Sequence, residues 1–214
     1  FFIFSVSSQT NEKTNKLFTG FFNFTYQENS DKIFLEVDKI NKDFLYISSL
    51  TTGLGSNDIG LDRGQLGKER IVKFKKYGNK LLLIQPNNDF VAISNNLAEK
   101  NSVEQAFARS VIFGFEIIEK KAKSYVIDFT PFLLQDTHGV IKRLKSLDQG
   151  AYKLDLNKSA LELKRTKAFP NNVEFEALLT FVGNPIGRLI SSVSPDPSNA
   201  VSYTHLTLPT NREV

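Results

Sequence analysis

GFFNFTYQENSDKIFLEV, residues 20–37, decides the fold class. Apolar Phe22, Phe24 and Tyr26 are separated by polar Asn23 and Thr25, and Ile33, Leu35 and Val37 mark a second alternating run. A period of two is the mark of a half-buried strand, and Glu-Asn-Ser-Asp at 28–31 supplies turn residues, so the stretch reads as a β-hairpin. Working outward, DFLYISSL (43–50) is a third strand, and RIVKFKK (70–76) with KLLLIQP (80–86) forms a second hairpin bent at Tyr77, Gly78 and Asn79. Asn-Asn-Asp at 87–89 then leads into a short strand, FVAIS (90–94). Strands are also expected at VIFGFEIIE (111–119), SYVIDF (124–129), AYKLDL (151–156), ALELKR (160–165) and VEFEALLTFVG (173–183).

Helix signals are fewer. In NSVEQAFARSV (101–111), Ser102 and Gln105 have the spacing of a capping box, and Val103, Phe107 and Val111 fall on one face that is expected to pack on the sheet. A second helix is expected to begin near Asp136, an N-cap residue, with His138 in its first turn. The expectation is an α+β or mostly β domain: an antiparallel-dominated sheet with one or two packing helices.

Composition narrows the function classes. Nineteen phenylalanines and a 41% hydrophobic content suit a sheet protein with one sizeable core. The absence of cysteine removes disulfides, thiolate metal sites and cysteine nucleophiles. The net charge of +4 is a mild excess, with acids interspersed among the lysines and no alternating aromatic stripe, so no nucleic-acid partner is expected. The apolar start is shorter than the roughly 20 residues a spanning helix needs, so no transmembrane span is expected either.

The chain has no methionine and is therefore read as a fragment of a longer protein, an expectation of the sequence alone. FFIFSVSSQ (1–9) reads as the remnant of a secretory signal peptide, 10–19 as a polar linker, and 20–200 as a single β-rich module, which places the protein outside the cytoplasm: periplasm, outer envelope or secreted. VSYTHLTLPTN (201–211) back-translates to a sequencing-library adapter. Residues 201–214, His205 included, are therefore read as adapter read-through replacing the native continuation after Ala200, and are excluded from the fold.

GLGSNDIGLDRGQLG, 53–67, holds five of the twelve glycines. It fails as a dinucleotide fingerprint because Asp58 stands where the third glycine belongs and no helix follows. As a phosphate loop ending in Gly67 and Lys68 it fails too, since Asp62 replaces the first glycine and Glu69 the magnesium-binding hydroxyl. The spacing of an EF-hand is absent, though a weak ion site stays open as an alternative. A structural loop whose glycines permit positive φ and whose Asp and Asn side chains bond local amides is the expectation, with Asn57, Asp58, Asp62 and Arg63 as candidate interaction residues. His138 is read as structural, and the carboxylate pairs Glu174 with Glu176 and Glu36 with Asp38 as solvated sheet surface. No catalytic, cofactor-binding or metal-binding residue is assigned. A third reading, nucleotide handling through Lys68, is the weakest.

SSLTTGLGSNDIGLDRGQLG, then RIVKF, GNKLLLIQPN, EQAFARSV, FGFEI, DFTPFLLQDTHGV, GAYKLD and FPNNVEFEALLTF, in that order, is very similar to the domain of unknown function numbered 5117 that precedes the catalytic domain in a family of bacterial zinc-dependent metalloproteases. The resemblance runs from about Gly20 to Pro197. It implies a metzincin-like parent peptidase whose zinc sits in a downstream domain with a His-Glu-x-x-His helix, a motif that this sequence lacks. It also implies that this chain carries no catalysis, needs no cofactor, and has as partners the downstream catalytic domain and the parent's polypeptide substrate. The alternative is a free-standing cell-envelope module that binds glycan or protein through exposed aromatics such as Tyr26, Tyr46 or Tyr77.

Overall fold

The computed structural model describes residues 15–55 and 57–210. The expected signal remnant, 1–9, lies outside the described residues. Strands are β1 (Asn15–Phe18), β2 (Asn23–Gln27), β3 (Lys32–Val37), β4 (Phe44–Thr52), β5 (Arg70–Tyr77), β6 (Lys80–Gln85), β7 (Ser110–Lys120), β8 (Tyr125–Asp128), β9 (Gly150–Leu154), β10 (Ala160–Leu161), β11 (Lys167–Phe169), β12 (Asn172–Pro185) and β13 (Asn199–Thr207). Helices are α1 (Leu97–Ala106), α2 (Thr130–Leu133), α3 (Val140–Ser146) and α4 (Arg188–Val193). The strands join into one antiparallel sheet in the order β1-β2-β3-β8-β7-β6-β5-β4-β13-β12-β10, with β9 and β11 also on β12. This is the expected β-rich, antiparallel architecture with covering helices.

The opening hairpin forms as its periodicity dictates. Phe24 faces Leu35 and Tyr26 faces Ile33 across the β2–β3 ladder, and Phe24, Ile33, Leu35 and Val37 are all buried. Asp31 takes the left-handed conformation the turn requires, at φ 47°. Its carboxylate accepts the Tyr26 hydroxyl at 3.0 Å and the Leu161 amide at 3.3 Å.

The sheet curls until its two ends meet. Phe21 N donates to Phe169 O at 2.7 Å, and the Phe24 ring lies 4.9 Å from that of Phe175 on β12. A run of ring contacts fills the interior, from Phe22–Phe74 at 5.8 Å through Phe74–Phe115 at 6.0 Å and Phe115–Phe129 at 5.5 Å to Phe129–Phe175 at 5.3 Å. A second apolar cluster lies beneath α3 and α4, where Val140, Leu144 and Ile190 pack with Leu50, Leu179 and Phe181 of the sheet.

Several expectations are corrected. Within the expected polar linker, residues 15–18 form β1, paired with β2. FVAIS at 90–94 is no strand, because β6 and β7 pair directly, Gln85 with Ser110, and expel the connection from the ladder. The helix after it starts at Leu97, capped by Asn96, whose Oδ1 accepts the Ala98 amide at 2.9 Å. Asn96 with Glu99 offers the same three-residue spacing as Ser102 with Gln105 but earlier, so the latter pair falls inside the helix. No residue of α1 is buried, contrary to the expected packing face, and only Val103 is half-buried, beside Lys73 and Ile84 of the sheet.

The tail set outside the fold enters it. Asn199–Thr207 is β13, an interior strand between β4 and β12 with Ala200, Ser202, Thr204 and Leu206 buried. Its alternation places these even-numbered residues on the inner face, a pattern that excluding the tail hid. The helix α4 was also not expected. Its free amides at Leu189 and Ile190 are satisfied by the buried Gln149 side chain, at 3.0 and 3.1 Å, which comes from the distant α3–β9 turn.

Candidate functional site

The glycine loop folds back on β4. Leu50 N donates to Gln65 O at 3.0 Å, Gly64 N to Leu50 O at 2.6 Å and Gly67 N to Ser48 O at 2.7 Å. Leu54, Ile59 and Leu61 are buried in the second core cluster, so the loop is a lid on that cluster. The Arg143 guanidinium on α3 donates to Ile59 O. Two glycines explain themselves here. A Cβ at Gly53 would run into the Leu61 carbonyl, and Gly64 adopts φ +83° to turn the chain back. Among the described residues the loop's local bonds run through backbone carbonyls and not through the Asp and Asn side chains expected to make them: Gly60 N donates to Asn57 O at 3.0 Å and Gln65 N to Asp62 O at 3.2 Å. Asn57, Asp58 and Arg63 lie exposed on its rim, with Asp62 half-buried.

Where the loop ends, a pocket of about 370 Å³ opens, lined by Tyr46, Ser48, Gln65, Leu66, Gly67, Lys68, Arg70, Thr137 and His138. Strand alternation puts Tyr46 and Ser48 on the same inward face of β4, and both are buried, so they form the floor. Gly67 crosses so close above that a Cβ there would strike Ser48 Oγ. The far wall is the turn at 137–139, held because Asp136 accepts the Val140 and Ile141 amides at 2.7 and 2.9 Å. Asp136 thus caps α3 as expected, but from four residues ahead. Gly139 is the N-cap residue, at φ +67°, and His138 precedes the helix instead of joining its first turn.

The electrostatics of the pocket follow from burial. Burial pushes the Tyr46 phenol above its usual 10.0, while hydrogen bonds from Thr137 and Ser48 and the nearby Arg70 charge oppose the rise. Burial likewise holds the His138 imidazole below its ordinary 6.5, against a bond to the Ser49 backbone and the Asp136 charge. His138 Nε2 is buried and has no hydrogen-bond partner among the described residues. Arg70 is steadied by donating to Gln85 at 2.7 Å, and a second pocket lies beyond it, lined by Glu69, Gln85, Asn87 and Asp89.

A separate polar cluster lies on β12. Glu176 is 3% exposed and accepts the Thr51 hydroxyl at 2.9 Å. Cross-strand pairing sets His205 opposite Glu176, with Nδ1 3.5 Å from its Oε2, while His205 Nε2 is 3.9 Å from Glu174. This corrects the reading of Glu176 as solvated surface. The sequence shows i, i+2 spacing, but only the neighbouring strands show which face is covered. Glu36 is half-buried and bonded to Ser124 at 2.5 Å and Lys121 at 2.8 Å. The Lys121 bond, then the Ser124 bond, hold its carboxyl below 4.5. Tyr46, expected to be exposed, is 3% exposed, whereas Tyr77 is 45% exposed.

Among the described residues, no group of three or more His, Cys, Asp or Glu is placed to hold a metal ion, and no helix is long and apolar enough to cross a membrane. Residues 64–212 match the family described as Domain of unknown function (DUF5117). The chain belongs to this family. No curated protein and no solved structure matches it. The DUF5117 match takes in the end of the glycine loop, Arg70, the Thr137–His138 turn and β13, though not Tyr46 and Ser48 on β4.

Sequence reading singled out the glycine loop and His138 but did not bring them together. Tyr46 and Ser48, 90 or so residues away from His138, carry no local signal beyond their i, i+2 spacing on a strand. Lys68 and Arg70 were legible as charges, while their shared pocket required the loop to fold back.

Proposed function

We propose that this DUF5117 chain is a non-catalytic module of an exported zinc-dependent peptidase, which docks on the downstream catalytic domain to support its folding or frame its substrate cleft. The family resemblance supplies the partner. The observation that supports docking is the excursion between β6 and β7. Its helix α1 buries nothing, and Phe90, Val91, Ile93 and Leu97 are 50%, 66%, 100% and 71% exposed. Apolar side chains this exposed within eight residues of sequence suit a surface that another polypeptide covers. Phe90 and Phe107 stack at 3.9 Å, which gives the excursion internal order without a core beneath it. The exposed rim of the glycine loop, Asn57, Asp58 and Arg63, is a second contact in this reading.

The test compares this chain with the natural full-length polypeptide. Amides over 86–109 should exchange with deuterium more slowly in the full-length protein. The isolated chain should leave casein intact in the presence of zinc. Zinc-dependent cleavage by the isolated chain, or a natural continuation without a His-Glu-x-x-His segment, overturns the reading. Unchanged exchange over 86–109 removes that surface as the contact.

A further inference from the structure

We propose that the pocket between the end of the glycine loop and the Thr137–His138 turn binds a carboxylate, the free end or acidic side chain of a peptide. The inference stands on the pocket itself and holds whether or not the module docks on a peptidase.

The lining is one-sided in charge. Lys68 and Arg70 supply two cations, no carboxylate among the described residues lines the same pocket, and Glu69 lines the pocket beyond Arg70. Asp136 acts on His138 from outside the lining, and both its oxygens accept backbone amides. The floor is built of buried polar groups, because Tyr46 and Ser48 are each 3% exposed. Thr137 and Ser48 stand beside the Tyr46 hydroxyl at the floor, and a phenol can donate its proton to a ligand. Arg70 spends one nitrogen on Gln85 and keeps the rest of its fork, which suits two coplanar oxygens. His138 donates through its other ring nitrogen to the Ser49 backbone, so the buried, partnerless Nε2 is an acceptor at the wall that suits a peptide N–H beside the carboxylate.

A monoanion fits better than a phosphate dianion. Burial disfavours the charged form of His138, so Lys68 and Arg70 are the cations of the lining, while Asp136 acts on His138 and Glu69 lines the neighbouring pocket with Arg70. The volume, about 370 Å³, exceeds that of a bare ion and admits the last residue or two of a peptide.

The probe is N-acetyl-Ala-Ala, with its C-terminal amide and inorganic phosphate as comparisons, and the readout is the side-chain nitrogen signals of His138 by NMR. His205, in the β12 cluster, is the reference. The free acid should shift the His138 signals saturably and leave His205 unmoved. Lys68→Gln and Arg70→Gln should each weaken this binding about tenfold, the value of one charge-assisted contact. Lys68 is exposed, so its variant keeps the fold. Equal response to acid and amide, a stronger response to phosphate, no response to any probe, or undiminished binding in Lys68→Gln each overturns the assignment.

Discussion

Closure of the sheet through Phe24 and Phe175 is open to a direct energetic test. Both rings are essentially buried, at 1% and 0% exposed, and their centroids are 4.9 Å apart with the planes tilted by 54°. Phe175 also meets Phe129 at 5.3 Å. Phe175→Ala removes a buried ring and leaves a cavity between sheet halves that cannot collapse, at a cost of about 3–5 kcal/mol. That is a large part of the roughly 5–15 kcal/mol that holds a domain together. At about 2–4 °C per kcal/mol for a chain of this size, Tm should fall by roughly 6–20 °C. Phe169→Ala, at a ring 41% exposed, should cost far less. The decisive quantity is the coupling in a Phe24→Ala/Phe175→Ala double-mutant cycle followed by urea unfolding. A direct ring pair contributes about 0.5–1.5 kcal/mol beyond burial, whereas non-contacting sites add within about 0.3–0.5 kcal/mol. Strict additivity would falsify the curled sheet, because the two residues come from strands at opposite ends of the strand order.

Two further outcomes follow from the loop and the titrating groups. Gly53→Ala should destabilise by roughly 1–3 kcal/mol, since the new methyl meets the Leu61 carbonyl and the loop cannot shift without lifting Leu54, Ile59 and Leu61 out of their cluster; a wild-type urea midpoint removes the lid from the account. The pH profile should show two separate losses. A folded His138 that resists protonation binds fewer protons than the unfolded chain, so stability should begin to fall as pH drops below about 6.5, and His138→Gln should remove this part. Glu36, lowered by Lys121 and Ser124, contributes stability present above 4.5 and lost as pH falls through its lower folded value. That part is small because Lys121 is 42% exposed. A profile flat between pH 7.5 and 5.5 contradicts the buried imidazole.

Local chemistry determined much of this protein. Alternation in GFFNFTY and KIFLEV, with turn residues between, specified the hairpin before any tertiary contact, because a period of two buries one face in only one register. The same logic gave β5, β6, β7 and β12. What the sequence left open was decided by neighbours distant along the chain. FVAIS is an apolar run like a short strand but lies outside the ladder in which β6 pairs with β7, and α4 gains its N-terminal bonds from Gln149. Glu174 and Glu176 share a spacing, yet only Glu176 is sealed, by Thr51 and His205 on strands far away in sequence. The pocket belongs to the same class. Tyr46, Lys68, Arg70 and His138 come to line one pocket only when the loop turns back on β4, since burial and charge proximity are properties of the assembled surface and no single segment encodes them.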